Sequence, residues 1–241
     1  MRINIIVPNF NKGPFLQKCL ESCAAQNYDD FNIIFVDNES TDDSLEIARK
    51  FKESCKVDLI IDEAKNIYPH CWEECLEVAF KYCDGEYYTI VGSDDYILEN
   101  YLINFKSSID LLNKPKVVQS AMTWYQDGKA INYTEYKYNS IDEIKNLLVN
   151  GCAVNSPNVF YHSSMLDDTS LERQPHLYSG ASDYDYFCQI VDAGIYITLI
   201  KDIGYCYNIN ANQATWQMHK SEISYDNIIK KKWKDKWNLN A

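Results

Sequence analysis

Acidic and amide side chains recur in this 241-residue chain wherever a short apolar run stops. Pro8-Asn9-Phe10-Asn11 closes the run at 3–8, Asp37-Asn38-Glu39-Ser40 follows 31–36, Asp62 follows 57–61, and Ser93-Asp94-Asp95 follows 87–91. Carboxylates accept hydrogen bonds from ribose hydroxyls and base N–H groups, and two together can hold a hard divalent cation through oxygen. Neither a Gly-x-Gly-x-x-Gly nor a Walker loop is present to cradle phosphate with backbone amides. A cation on Asp94 or Asp95 would supply the positive charge that a phosphate ligand needs.

The runs read as strands and the segments between them as helices. Residues 12–26 carry Phe15, Leu16, Cys19, Leu20 and Cys23 at helical spacing, with Pro14 suited to the first turn. Ser40-Thr41-Asp42-Asp43-Ser44 offers caps and first-turn acids to a helix reaching about 54, and a third helix is expected over 69–83. Four apolar strands separated by helices predict a parallel sheet covered on both faces, and such sheets bind ligands outside the carboxyl ends of their strands. After about residue 115 the pattern becomes mixed. Strands are expected at 116–120, 122–125 and 129–133 around the Asp127-Gly128 turn, then at 158–161, 196–200 and 205–209; helices are expected at 141–148, 181–193 and the C-terminus.

Composition excludes several classes. The hydrophobic fraction of 46% fills a core, which rules out disorder as the main state. The net charge of −12, with arginine only at 2, 49 and 173, opposes a phosphate-backbone footprint, so no nucleic-acid partner is expected. Nine cysteines without a C-x-x-C predict a reducing compartment, with the pairs Cys19/Cys23 and Cys71/Cys75 as small apolar residues on helix faces. The chain opens directly on a strand without a secretory leader, and no apolar run approaches the length of a membrane span. A cytoplasmic protein is expected.

Three landmarks in order, Ile6-Val7-Pro8-Asn9-Phe10-Asn11, Val36-Asp37-Asn38-Glu39-Ser40-Thr41-Asp42 and Asp84-Gly85-Glu86-Tyr87 leading to Gly92-Ser93-Asp94-Asp95-Tyr96, resemble those of family 2 glycosyltransferases. The resemblance implies an α/β, GT-A type, Rossmann-like and mostly parallel sheet with helices on both faces and a mixed acceptor-side half. It also implies an inverting transfer from a nucleoside-diphosphate sugar, usually UDP, with Mn²⁺ or Mg²⁺ on the diphosphate. Carried over by position, Pro8, Asn9, Phe10 and Asn11 border the nucleotide, Asp37 contacts base or ribose, Asp62 approaches the base, and Ser93 and Asp94 face the donor. Asp94 matches the metal-binding acid of the Asp-x-Asp signature, whose first acid falls on Gly92, and Asp95 partly substitutes. The segment at 180–187 resembles the one in which an acid pair opens a helix and one member is the catalytic base. Ser182 replaces the first acid, which leaves Asp183 as the base and Asp185 in reserve. His219 lies where some GT-A enzymes place a late metal ligand.

The expected organisation is a nucleotide-sugar half over 1–115, an acceptor and base half over 116–219 in the same domain, and a basic tail over 220–241. That tail carries six lysines against three acids, so residues 1–219 stand at −15. Trp233 and Trp237 among the lysines suggest an interfacial helix over 228–241 resting on anionic lipid, on the inner membrane face, which would suit a lipid-linked or glycan acceptor in surface polysaccharide synthesis. Two rivals remain: a sugar-nucleotide or glycan binding module that has lost catalysis at Gly92 and Ser182, and a metal-dependent nucleotidyltransferase, against which the scarcity of arginine counts.

Overall fold

A computed structural model describes residues 1–68, 71–211, 213 and 222–239. His219 lies outside the described residues. The first half alternates strictly: β1 (Ile3–Asn9), α1 (Gly13–Ala24), β2 (Phe31–Asp37), α2 (Ser44–Ser54), β3 (Leu59–Glu63), α3 (Glu73–Ala79) and β4 (Tyr87–Ile90). Then come β5 (Tyr96–Ile97), α4 (Tyr101–Ile109), the hairpin β6 (Val117–Gln126) and β7 (Lys129–Thr134), α5 (Ile141–Leu148) and β8 (Val159–His162). The last elements are the short α6 (Pro175–Tyr178), α7 (Ser182–Asp192), β9 (Ile197–Asn208) and α8 (Tyr225–Trp237).

All nine strands join one sheet in the order β3-β2-β1-β4-β8-β6-β9-β5, with β7 paired to the outer part of β6. The registers make β1, β2, β3, β4, β6 and β9 run in one direction, while β8, β5 and β7 oppose them. Six strands therefore end at the same rim. Alternation along β1 divides the core in two: Ile3, Ile5 and Val7 pack with Leu16, Leu20 and Phe105 on the face of α1, α2 and α4. Ile6 faces the opposite way, toward Leu76, Ile144, Phe187 and Trp233. Each face buries apolar area that a two-sided sheet exposes if uncovered, which is why β1 and β2 carry no solvent-facing residue.

Several expected boundaries move. The third strand starts at Leu59, so Asp62 is inside it. The helix expected over 69–83 begins only at Glu73, because the Glu74 carboxylate accepts the backbone N–H groups of Ile67 and Tyr68 and holds the preceding chain as a loop. Cys71 is thus off the helix that carries Cys75. The strands expected at 116–120 and 122–125 are one strand with a register shift between Ser120 and Met122, and those at 196–200 and 205–209 are one strand bent at Gly204, whose φ is +103°.

The C-terminal helix docks on the domain through its two tryptophans. Trp233 is 2% exposed, its indole N–H donates to Asp185 at 2.7 Å, and the Trp237 indole donates to Asp192 at 2.9 Å. Both tryptophans bond acids of α7, so their indole N–H groups face the domain. Among the described residues no helix is long and apolar enough to cross a membrane.

Candidate active site

At the common rim of the strands lies a cleft of about 960 Å³, within the range of small-molecule sites. One wall comes from Pro8, Asn9, Phe10, Asn11 and Lys12 after β1, and from Gly92, Ser93, Asp94 and Asp95 after β4. The lining also includes Ser156, Pro157 and Asp183, with Tyr225, Asp226 and Lys230 of α8.

The β1 and β2 ends are built as a unit, since Asn9 pairs with Asp37 in register. The Asn9 amide donates to Asp37 at 2.8 Å, while the backbone N–H and hydroxyl of Ser40 donate to the same carboxylate at 2.8 and 2.7 Å. Asp37 is thereby pinned at 2% exposure behind the wall, and its neighbour Asn38 lines the cleft instead. The side-chain oxygens of Asn9 and Asn38 are buried without a hydrogen-bond partner among the described residues. Buried acceptors are normally satisfied, so these two are suited to a ligand's donors. Asp62 does not line the cleft. Its position within β3 leaves it accepting from the Tyr82 hydroxyl at 2.7 Å and from the Glu63 N–H, which hold its carboxyl below the usual range.

The two acids after β4 differ sharply. Asp95 is 3% exposed and accepts from the Tyr205 hydroxyl at 2.7 Å and the Asn208 N–H at 2.8 Å. Burial and then the adjacent Asp94 push its carboxyl well above the usual range. Asp94 faces the cleft, and one of its oxygens accepts from Lys12 Nζ at 2.8 Å and from Asn210 Nδ2 at 3.0 Å. A Cβ at position 92 would lie 2.8 Å from the pinned Asp95 carboxylate, so an acid at the first place of the signature has no room as the site stands. Among the described residues no three acids, histidines or cysteines converge. The donor set therefore fits a cation held by one protein carboxylate, Asp94, with other oxygens coming from substrate and water. Mg²⁺ commonly binds in this way, through one or two carboxylates plus substrate phosphates.

Asp183, which also lines the cleft, lies in the first turn of α7. Burial raises its carboxyl, against the opposing effects of the Ser156 hydroxyl, the Arg173 charge and the Tyr184 N–H, while Asp226 adds to the rise. Arg173 lies 3.9 Å from Glu73 and over the Tyr186 ring at 4.3 Å. Ser182, where an acid was expected, is fully buried and accepts the Gln174 N–H at 2.9 Å. Its hydroxyl also bonds Glu73, which brings a second acid to this region from α3. Asp185 projects to the far side of α7, where it is 1% exposed and accepts from Lys232, Trp233 and Gln189. It does not line the cleft.

Sequence reasoning missed Lys12, Asn38, Asn210, Glu73 and Asp226. Asn38 carried a signal, one place along in a motif already singled out; the others reach the site through contacts distant in sequence.

The mostly parallel sheet with acids at the carboxyl rim of its strands is a fold of the GT-A type. Residues 4–169 match the family model Glycosyl transferase family 2, which is more than half of the chain, and the chain belongs to that family. It is similar to Glycosyltransferase GlyG of Streptococcus pneumoniae, 37% identical over 101 residues, which is 42% of this chain and 32% of GlyG. It is also similar to the Escherichia coli UDP-Glc:alpha-D-GlcNAc-diphosphoundecaprenol beta-1,3-glucosyltransferase WfaP, 24% identical over 95% of this chain and 85% of WfaP. Staphylococcus aureus TarS 1-349 in complex with UDP-GlcNAc shares the fold, with a TM-score of 0.72 and 23% identity over 93% of this chain and 62% of that one. The chain thus spans about a third of GlyG and most of WfaP.

Proposed function

We propose that this protein transfers a sugar from a nucleoside-diphosphate sugar, a UDP-sugar, with inversion to a hydroxyl of a glycan or lipid-linked acceptor. One observation carries the reading: a single cleft is lined by Asp94, by Asn9 and Asn38 with their unsatisfied amide oxygens, and by the raised acid Asp183. Inversion by direct displacement requires both kinds of group at one site, the leaving diphosphate on one side of the anomeric carbon and a base for the attacking hydroxyl on the other. The name of WfaP supports a UDP-linked donor and a lipid-linked acceptor.

Asp183 takes the acceptor proton as the hydroxyl attacks, and the Ser156 hydroxyl and Arg173 charge stabilise the carboxylate that must exist beforehand. Asn9 and Asn38 receive donors from the nucleotide. Mn²⁺ or Mg²⁺ on Asp94 would offset charge on the departing diphosphate. The test is transfer from UDP-sugars alongside UDP binding. Asp183→Asn is expected to lower kcat by roughly 10²–10⁴-fold while leaving UDP affinity unchanged. Wild-type transfer by Asp183→Asn overturns the base assignment, and UDP binding without transfer by the wild-type protein to any hydroxyl acceptor or water favours the binding-module reading.

A further inference from the structure

Among the described residues at the cleft, Lys12 is the cation that already does to Asp94 what a metal ion would do. Its ammonium lies 2.8 Å from the carboxylate, and the two side chains are 13% and 14% exposed. The backbone beneath it is fixed: its N–H donates to the Ser44 hydroxyl and its carbonyl accepts from Phe15 and Leu16 at the start of α1. Only the flexible side chain can move. Asp95 does not compete for the ammonium, because Tyr205 and Asn208 hold its carboxylate. A carboxylate with as little water access as Asp94 needs a cation beside it, and Lys12 supplies it.

We propose that Lys12 exchanges partners when donor binds: it neutralises Asp94 in the free protein, and it turns to the diphosphate when a divalent cation arrives with the nucleotide. This rests on the nucleotide-sugar reading above. A divalent ion that takes Asp94 meets a carboxylate already neutralised by the ammonium and is repelled by it, so the divalent ion alone binds weakly. A diphosphate gives the displaced ammonium an anionic partner a side-chain length away, which makes nucleotide and cation binding mutually reinforcing. The same residue then adds to the positive charge that Lys230 brings to the cleft, in a chain that has only three arginines.

The variants have opposite signs for two ligands, which a purely structural lysine does not produce. Calorimetric titration of Mn²⁺ alone, UDP alone and UDP with Mn²⁺ is made on the wild-type protein, Lys12→Met and Lys12→Arg. Wild type is expected to bind Mn²⁺ at least about tenfold more tightly when UDP is present. Lys12→Met is expected to bind Mn²⁺ alone about tenfold more tightly than wild type, and UDP with Mn²⁺ about tenfold more weakly; one such factor corresponds to about 1.4 kcal/mol. Lys12→Arg retains wild-type UDP affinity. A folded Lys12→Met with unchanged or weaker Mn²⁺ binding, or with unchanged UDP binding, overturns the exchange. Should Lys12→Met fail to fold, Lys12→Gln gives the same readings. Failure of the wild-type protein to bind any of UDP, GDP or their sugars instead overturns the nucleotide-sugar reading, while the arm with Mn²⁺ alone still reports on Lys12 and Asp94.

Discussion

Substitution of Asp185 separates the two roles open to the second acid of α7. Its carboxylate is 1% exposed and receives three donors: Lys232 at 2.8 Å, the Trp233 indole at 2.7 Å and Gln189 at 2.8 Å. Breaking a buried ion pair by removing one partner costs about 3–5 kcal/mol. Lys232 is 37% exposed, so its share is reduced by solvent screening, whereas the Trp233 N–H is left buried without an acceptor at about 1–3 kcal/mol. Asp185→Ala should therefore cost about 3 kcal/mol in all, and Asp185→Asn, which keeps an acceptor oxygen, about half of that. For a chain of this size about 3 kcal/mol lowers Tm by about 6–12 °C. Circular-dichroism melting at fixed protein concentration reads that shift, and transfer per folded molecule should remain within about threefold of wild type, because the carboxylate does not reach the cleft. An unchanged Tm with transfer abolished in Asp185→Asn would refute the reasoning and make Asp185 the base.

Two further outcomes follow from the geometry. Arg173→Met removes a charge that holds the raised Asp183 carboxyl down, so the acid limb of the kcat/KM profile should move to higher pH, while Arg173→Lys keeps it near wild type; a limb that stays put in Arg173→Met removes Arg173 from the base's environment. The sign for stability is opposite to that of a salt-bridged acid: the folded state holds the Asp183 proton more tightly, so its contribution declines as pH rises from the unfolded carboxyl value through the folded one. Gly204→Ala forces a side chain onto φ +103° with its Cβ 2.8 Å from the Leu98 Cβ, and about 2 kcal/mol or more should be lost; an unaltered Tm would show that β9 does not need its bend.

The strand ends and their acids were legible because each is a local event: an apolar run of period two stops at a proline, an amide or an acid. Asp94 and Asp183 both fall on the cleft for that reason, one at a strand end and one at a helix start. Roles within each motif were less legible. Asp37 and Asn38 are adjacent, and strand alternation sends one behind the wall and the other into it, which depends on register and not on residue type. Asp62 fell out because the strand slid by two residues. The helix Tyr101–Ile109 was overlooked although Tyr101, Leu102, Phe105 and Ile109 repeat at helical spacing. What no local pattern could reveal are partners far apart in the chain. Lys12 reaches Asp94 across 82 residues, and Asn208 reaches Asp95 across 113, because β9 ends at the same rim as β4.

The charge segregation has the same origin. A +3 tail on a −15 body suggests a surface seeking an external anion, yet α8 finds its anions on α7. Asp185 takes Lys232 and Trp233, and Asp192, two turns later, takes Lys236 at 2.7 Å and Trp237 at 2.9 Å. Lysine and tryptophan recur at i, i+4 because each adjacent pair must meet one acid, with the indole N–H and the ammonium bonding the same carboxylate. Lys231 pairs with Asp235 of its own helix. This ladder fixes α8 against the helix that carries Asp183, and in doing so it sets Tyr225, Asp226 and Lys230 in the lining of the cleft that Asp94 and Asp183 also line. Among the described lysines of the tail, Lys230 is the one that lines the cleft.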